Sequence, residues 1–282
     1  MHRTRVPGLA LLLIWSSVGC TPALSSFTPA HVAPKHHVQA ELGLDVSLPT
    51  NTIDELEAVG DGLVAAAQDR ELSEAEQDEL FRAGSAVMLN PPSITPHLGV
   101  AFTLLDHFEL NGRYSTGALR LGARYQLLEQ ATHGVDLTAG LGGGRYTYEF
   151  PLSNLISLLE LKDFTRWQLD LPLLVGRHGD WYRVWAGPRV MFGFYETELS
   201  FTQPEIPGVT SERTITASLD GVATYLGGQV GAAIGYKYVF FGVELTCVKL
   251  WTNGTLKLPG RERDLDVASA IIYPGFALML EL

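Results

Sequence analysis

The residues of this chain best suited to chemistry are charged side chains that recur at every second or fourth position between small or apolar residues. Glu41 and Asp45 flank a Leu-Gly-Leu stretch, and Arg120 and Arg124 flank Leu-Gly-Ala. The full set is Glu41, Asp45, Glu109, Arg113, Arg120, Arg124, Asp170, Arg183, Arg189 and Glu244. Charges of both signs that share an enclosed space persist when they are paired. We therefore expect a network of ion pairs, and we expect this structural role rather than acid–base catalysis by the carboxylates.

Residues that could hold a metal or a nucleic acid are poorly arranged for either task. His36 and His37 are adjacent, so on a strand they point to opposite faces. The two cysteines, Cys20 and Cys247, are not spaced as zinc ligands, and the calcium-loop pattern Asp-x-Asp-x-Asp-Gly is missing. The chain has 31 acidic and 20 basic residues without a long basic run, which argues against nucleic acid. We expect no metal, no cofactor and no nucleic-acid partner.

Strands are the elements that must position the charged set. From Val38 to Leu48 apolar and polar residues alternate without exception, and a strand sends successive side chains to opposite faces. The same pattern recurs along most of the chain and predicts ten strands. Their approximate ranges are 37–48, 97–105, 108–115, 119–127, 135–150, 167–175, 181–201, 224–236, 240–251 and 267–282. We therefore predict an all-β chain in which the charged residues share one face of the sheet.

The lengths of the predicted connections carry independent information. Those after strands 2, 4, 6 and 8 are short, such as Asp106-His107, whereas those after strands 1, 5, 7 and 9 are long and only the one after strand 3 departs from this alternation by being short. Short turns at one end and long loops at the other are typical of an even-stranded membrane barrel. The sheet must close, because unpaired backbone groups at an open edge are costly in hydrocarbon. We predict a transmembrane antiparallel up-and-down β-barrel with a charged lumen and a helical insertion after strand 1.

Aromatic residues near the ends of the predicted strands favour a membrane barrel over a soluble, lipocalin-like barrel, whose apolar face would point inward. One group consists of Tyr114, Trp167, Phe194 and Trp251. The other group consists of Phe108, Tyr125, Tyr182, Tyr236 and Phe240. We interpret the two groups as interfacial girdles on the outer face of the barrel.

The C-terminal eight residues carry a more specific pattern. From Gly275 to Leu282 a glycine is followed by apolar residues that alternate to the end, which resembles the terminal insertion signal of bacterial outer-membrane barrels. That signal usually ends in Phe, and Leu282 departs from it. By pattern, the resemblance to small outer-membrane barrels covers residues 38–282. It implies a location in the bacterial outer membrane and contact with the lipids of that membrane. An even number of strands places the N-terminus and the C-terminus of the barrel on the periplasmic side.

The N-terminus has the pattern of an export signal. Residues 1–19 contain two arginines and then an apolar core too short to span a bilayer. The sequence Ser17-Val18-Gly19-Cys20 resembles a bacterial lipobox, with Ser17 where that motif usually has Leu. The resemblance implies lipid attachment at Cys20, and ordinary signal-peptidase cleavage is the alternative. The proline-bearing residues 20–36 are interpreted as a linker, so that the barrel begins at residue 37.

An acidic segment at residues 50–93 interrupts the strand pattern. Residues 51–69 have helical spacing, and Ser73 with Glu76 forms a capping box that begins a second helix, predicted to run through Arg82. We expect residues 51–85 to be external, to bury only a narrow apolar stripe, and to be dispensable for folding. Two roles stay open: a solvated cap over the barrel mouth, or a surface that binds divalent cations, lipopolysaccharide bridged by them, or a partner protein.

Two classes of function are compatible with these patterns. The first is a non-enzymatic barrel with a structural or surface-interaction role, either closed or a very narrow pore. The second is an outer-membrane hydrolase of lipid or peptide, active at the external rim. His97, beside Ser93 or Thr95, is the only hint of catalytic groups at the rim. Because no known catalytic motif is matched, we favour the non-enzymatic class and expect no catalytic residues.

Overall fold

The computed structural model describes residues 24–50, 62–63, 65–115, 117–147, 158–205 and 211–282. Two helices with full bounds are α1 (Glu74–Leu89) and the short α2 (Gln130–His133). Residues 65–69 are also helical. The strands are β1 (Val38–Pro49), β2 (Ser93–Leu105), β3 (Phe108–Ser115), β4 (Ala118–Leu128), β5 (Asp136–Thr147), β6 (Leu159–Asp170), β7 (Leu173–His178), β8 (Tyr182–Gln203), β9 (Arg213–Tyr236), β10 (Val239–Leu258) and β11 (Arg261–Glu281).

The strands close into one antiparallel barrel. β11 pairs with β1, and β4 pairs with β5, so the order returns on itself without a free strand. β6 and β7 lie end to end between β5 and β8, separated at Pro172, which has no N–H to donate. β6 and β7 together occupy one strand position in the wall, so the eleven strands fill ten positions. The predicted fold is confirmed: a closed antiparallel barrel of ten strands with a helix after the first.

The outer and inner faces of the wall have opposite polarity. Leu42 and Leu121 on the outer face are each 61% exposed, whereas Asp45, Glu109 and Arg189 on the inner face are 0% exposed. A continuous band of exposed leucine, valine and aromatic side chains is far larger than the apolar patches found on soluble monomers. Such a band requires hydrocarbon around it, so the barrel has the architecture of a membrane-spanning protein.

Four strands are much longer than a membrane requires. β8, β9, β10 and β11 contain 22, 24, 20 and 21 residues, whereas about 9–11 tilted residues cross a bilayer. The excess lies at the end of the barrel opposite Val38 and Glu281. We call this end the loop end, and the end at Val38 the turn end. The prediction of a long loop over residues 252–266 was wrong, because β10 and β11 continue as a hairpin to a tight turn at Gly260, where φ is +79°.

One girdle assignment was also wrong. Phe240 is fully buried inside the barrel, where the guanidinium of Arg183 lies 4.2 Å from its ring centre. Tyr114, Trp167 and Tyr236 do lie on the outer face and are strongly exposed. Phe240 was misassigned because its neighbour Phe241 is the outward residue, and two adjacent phenylalanines hide the parity of the strand.

The segment interpreted as a linker lies inside the barrel from its first described residue onward. Residues 24–33 are buried or half-buried, and they descend towards the turn end, where Val38 N–H donates to Leu282 O at 2.9 Å. Leu24, at the upper end, packs in the same apolar cluster as α1. The linker interpretation is therefore incomplete, because proline-rich composition shows that a segment is extended and does not show what surrounds it.

Helix α1 fills the loop-end half of the lumen. Its N-terminus is held by the predicted capping box, in which Glu76 N–H donates to Ser73 Oγ at 3.4 Å. From Phe81 to Leu89 all but one of the residues are buried, on every side of the helix. The expectation of a cap with a narrow apolar stripe is contradicted over this stretch. Residues 51–61 of the same predicted loop lie outside the described residues.

Among the described helices, none is both long and apolar enough to cross a membrane.

Candidate functional site in the lumen

Two clusters of predicted charged residues meet in the middle of the wall. In the first, Arg113 reaches Asp45 at 2.8 Å and Glu41 at 3.5 Å. In the second, Asp170 accepts from Arg189 at 2.7 Å and from Arg120 at 3.1 Å. All are buried or nearly so, and each pair joins different strands. The clusters tie neighbouring and next-neighbouring strands together on the lumenal side of the wall, as expected for charges that are excluded from hydrocarbon.

Two further pairs lie nearer the turn end. Arg124 donates from Nε and Nη2 to the two oxygens of Glu109, each at 2.7 Å. Arg183 binds Glu281 in the same two-pronged way, at 3.2 and 2.6 Å. Glu281 was missed in the sequence, although it has the same parity as the inward residues Ala277 and Met279. The alternation of β11 would have identified it.

Glu244 is the exception in the predicted set. It is buried, and no basic side chain lies within ion-pair distance of it among the described residues. Its carboxylate instead accepts from the backbone N–H groups of Ser26 and Phe27, at 2.6 and 3.1 Å, and from Trp185 Nε1 at 2.8 Å. The partners of Glu244 are therefore two backbone amides and the Ser26 hydroxyl of the N-terminal segment, and one indole of the wall.

The wall contacts the backbone of the N-terminal segment at other points too. Arg113 donates to the carbonyl of Ser25 at 2.6 Å. Arg124 donates to the carbonyls of Pro29 and His31, the second at 3.3 Å. Val32 N–H donates to the side-chain oxygen of Gln126 at 2.8 Å. In an extended segment these backbone groups have no secondary-structure partners, and the wall side chains satisfy them.

His97 does not lie at an open rim, so that expectation is wrong. Its ring is 2% exposed, stacks on Phe27 with ring centres 5.4 Å apart, and places Nδ1 3.1 Å from Asp45. Ser25 Oγ donates to the other Asp45 oxygen at 2.6 Å. A nucleophilic serine would instead be bonded to the imidazole. Ser, His and Asp thus meet here in an order that does not activate the hydroxyl, and in a space closed to substrate.

Ser93 and Thr95, the other proposed rim groups, are buried with their hydroxyls 3.5 Å apart. His36 and His37 lie at the opposite end of the barrel, exposed at the turn end. Among the described residues no group of three or more His, Cys, Asp or Glu side chains could hold a metal. Cys247 is a free, exposed thiol on the outer face, and Cys20 lies outside the described residues.

The loop-end half contains a buried arginine that the sequence analysis missed. Arg166 is 1% exposed and donates to the carbonyl of Leu89 at 3.4 and 3.5 Å and to the hydroxyl of Tyr225. Leu89 ends α1, and a cation is favourable at a helix C-terminus. The alternation of β6 would have identified it, because Arg166 points into the lumen on the same side of the strand as Gln168 and Asp170.

Salt bridges hold the N-terminal end of α1 at the mouth of the barrel. Arg261 reaches Glu74 at 2.9 Å and Asp78 at 2.8 Å, and Arg263 reaches Asp78 at 3.0 Å. Both arginines belong to the hairpin tip of β10 and β11. The acidic charge of the predicted loop is therefore partly neutralised by the loop end itself.

A second set of contacts orders the turn before α1. Arg70 forms a two-pronged ion pair with Glu76, and Ser73 Oγ donates to Glu76 at 2.8 Å. The Arg70 hydrogen bonds, followed by those from Ser73, lower the pKa of Glu76 to about 2. This carboxylate is fully ionised at neutral pH and stabilises the capped conformation of the first helical turn.

Very little space is left between the N-terminal segment and the wall. The two cavities beside Thr28 have volumes of about 40 and 30 Å³. Each holds a few waters at most, since a water needs roughly 10–15 Å³ of such volume. The lumen is filled by the N-terminal segment at the turn end and by α1 at the loop end.

Comparisons with known proteins find similar solved structures and no match in sequence. No family model matches the chain, and no curated protein matches it in sequence. Similar solved structures include the outer membrane protease OmpT from Escherichia coli (10% identity, 89% of this chain and 98% of that chain, TM-score 0.40) and the attachment invasion locus protein Ail of Yersinia pestis (10% identity, 88% and 99%, TM-score 0.28). The CymD monoaromatic hydrocarbon channel is another (9% identity, 88% and 89%, TM-score 0.35).

The inside-out polarity, the closed ten-strand wall and the terminal strand pairing define the class of this protein. It is a closed, membrane-spanning type of antiparallel β-barrel whose lumen is occupied by its own chain.

Proposed function

We propose that this protein is a non-enzymatic barrel of the bacterial outer membrane, closed to solutes, with a structural or surface-interaction role. One observation carries the proposal: the N-terminal segment and α1 fill the lumen in series, and the two cavities beside Thr28 of the segment measure about 40 and 30 Å³. A narrow pore, the other form of the expected function, is not supported by this filling. The turn end faces the periplasm and the loop end faces outward.

The outer face of the loop end is the surface best placed for interaction. Glu196 pairs across the sheet with Asp220, which is followed across β10 by Asp264. This face is acidic and lies directly above the outward aromatic residues Phe194 and Trp251. Lipopolysaccharide bridged by divalent cations, or a basic partner protein, suits it by charge. The proposed partners thus remain the lipids of the outer membrane and, in addition, divalent cations near the acidic loop end.

A hydrolase is not favoured by any contact among the described residues. The Ser25–Asp45–His97 cluster is fully enclosed, and the serine is bonded to the carboxylate rather than to the imidazole. We also propose residues 1–19 as an export signal and Cys20 as the lipid attachment site, on the motif alone; the closed lumen is then that of the molecule before Cys20 is lipidated.

Conductance tests the proposal directly. The purified protein, reconstituted in planar bilayers, should show no steady current in salt solution, while heat-modifiable migration in a detergent gel checks that the barrel is folded. The matched comparison is Arg113→Ala/Arg124→Ala, which removes two wall groups that hold the segment and should produce intermittent current. Steady single-channel current through the unmodified protein would refute the closed lumen.

A further inference from the structure

We propose that the turn-end half of the lumen is a binding site for an extended peptide, and that residues 24–34 of this chain occupy it as a tethered ligand. The wall recognises the backbone of the segment rather than its side chains alone. A site built in this way accepts a peptide supplied by another chain, entering from the periplasmic end, when the tethered segment is displaced.

The wall bonds both the carbonyls and the N–H groups of the segment backbone. Three carbonyls of the segment, those of Ser25, Pro29 and His31, accept from wall guanidinium groups. Three of its backbone N–H groups donate to side chains of the wall. They belong to Ser26, Phe27 and Val32. Cationic donors for carbonyls and anionic or amide acceptors for N–H groups complement the backbone of a peptide that is extended except at Phe27, where φ is +45° and two successive N–H groups face one carboxylate.

Glu244 depends on the segment for most of its hydrogen bonds. A buried carboxylate is costly unless it is paired or hydrogen-bonded. Among the described residues Glu244 has no cationic partner, and two of its four hydrogen-bond donors are backbone amides of the segment. The wall therefore presents an acceptor that is satisfied when a peptide is present, in contrast to Glu109, which is satisfied by the wall itself through Arg124.

The wall also forms a pocket for one aromatic side chain, that of Phe27. Phe27 stacks on His97 and lies 6.0 Å from the guanidinium carbon of Arg113. The wall has glycine opposite it: a Cβ at Gly275 would lie 2.8 Å from the Phe27 ring. The site thus reads one aromatic residue with small neighbours, and otherwise reads backbone. The expected ligand class is an extended peptide with an aromatic residue flanked by serine or threonine.

The test separates a ligand from a structural filler by cutting the tether after folding. A protease recognition sequence is inserted after the exposed Pro34 in the full chain, and the folded protein is cleaved in detergent. We expect the released fragment to stay with the barrel through gel filtration and to exchange with a labelled synthetic peptide of residues 24–36. Loss of the fragment on cleavage, or unfolding of the barrel as judged by its migration, would overturn the proposal.

Modified peptides test which groups are recognised. Methylation of the Phe27 amide removes one hydrogen bond to Glu244 and should weaken binding about ten-fold to a hundred-fold, the range expected for the loss of a hydrogen bond to a charged group. The matched control is methylation of the Thr28 amide, for which no hydrogen bond is present among the described residues. Equal binding of the two methylated peptides would contradict backbone recognition.

A wall variant completes the design. Glu244→Gln keeps the shape of the side chain and removes its charge, so the labelled peptide should exchange out several-fold faster. Glu198→Gln, on the exposed outer face of β8, should leave exchange unchanged. If both variants behave like the parent protein, Glu244 does not hold the peptide and the assignment of the site fails.

Discussion

The two halves of the barrel use the same strands with opposite polarity. In the turn-end half the inner face carries Glu244 and Arg183, and the outer face carries leucine and valine. In the loop-end half the inner face carries Leu256 and Val267, and the outer face carries Asp264. The side-chain parity of β10 and β11 does not slip between the halves. Only the solvent outside the wall changes, from hydrocarbon to water.

The two parts of the chain that fill the lumen, residues 24–34 and α1, differ in backbone conformation, and the difference matches the inverted polarity of the two halves. An extended segment leaves its amides and carbonyls unpaired, so it needs polar wall groups, which the turn-end half supplies. A helix satisfies its own interior backbone groups, so α1 can enter an apolar chamber formed by Leu199, Phe201 and Leu256. Where the chain needs polar contact again, at the end of α1, Arg166 meets the carbonyl of Leu89. Each half of the lumen is matched to the backbone conformation that fills it.

The largest effect concerns Cys20, because its lipidation and the position of Leu24 compete. Ser25 bonds Asp45, seven residues above Val38, which is roughly 18 Å above the turn end for a strand tilted by about 40°. The four residues from Cys20 to Leu24 span at most about 14 Å. A lipid at Cys20 in the periplasmic leaflet would therefore draw the segment out of the lumen.

The measurement is thiol labelling of a Ser25→Cys variant after metabolic labelling with a fatty acid. We expect the lipid-bearing molecules to react with maleimide and a lipid-free Cys20→Ser form to be protected, with Cys247→Ser in both backgrounds so that residue 25 carries the free thiol that is probed. Protection of residue 25 in lipid-bearing molecules would show that the two states coexist, and that the lipid lies elsewhere than in the periplasmic leaflet.

The strands and their facing were predictable, because alternation is a local property that any window of the sequence displays. The ends of β10 and β11 were not. The apolar outer pattern stops near Trp251 and Ala268, whereas backbone pairing continues to Leu258 and Arg261 in water. Helix α1 was predicted to end near Arg82 for a similar reason: its later residues are buried on all sides, so they show no amphipathic stripe.

The lumenal site was only half predictable. Residues of the wall could be assigned to the lumen by parity, and most then found charged partners there. The partner of Glu244 could not be found, since the amides of Ser26 and Phe27 lie 218 and 217 positions away in the chain. Backbone groups have no signature in a sequence, so a site that binds backbone is invisible until the chain is folded.

Removal of a core side chain in the apolar half should have the next largest effect. Phe81 of α1 is fully buried and meets Phe201 edge to face, with ring centres 6.5 Å apart. Phe81→Ala should cost about 3–5 kcal/mol of unfolding free energy. Urea unfolding in detergent or lipid vesicles measures the change. Glu79→Ala, exposed on the same helix, is the control, and a similar loss for both would show that α1 is a cap rather than a plug.

The outer faces of the two halves should respond differently to charge. Leu171→Arg lies on the apolar outer face and should cost about 2–4 kcal/mol of barrel stability. Asn253→Arg lies on the outer face of the loop end, in water, and should change stability little. Gln168→Arg, facing the lumen, should be milder than Leu171→Arg. Equal losses at Leu171 and Asn253 would place the two sites in the same solvent and contradict the inversion of polarity.

The smallest effect is the pH dependence of the α1 cap, which lies in water at the mouth. The pKa of Glu76 is lowered to about 2, first by Arg70 and then by Ser73, so folding favours the ionised carboxylate. Its stabilisation is fully present above about pH 4.5, the ordinary value, and is lost as the pH falls from there towards 2. Because the pair is exposed, the change is small and is screened by salt.

Hydrogen exchange in the first turn of α1, followed from pH 6 down to pH 2, measures this contribution. After correction for the intrinsic pH dependence of exchange, the parent protein should be better protected than Glu76→Gln above pH 4.5. The difference should shrink below that pH and disappear near pH 2. The buried residues from Phe81 to Leu89 should show no such difference, because their protection depends on apolar packing. A pH-independent gap between parent and variant would mean that Glu76 acts through its shape and not through its charge.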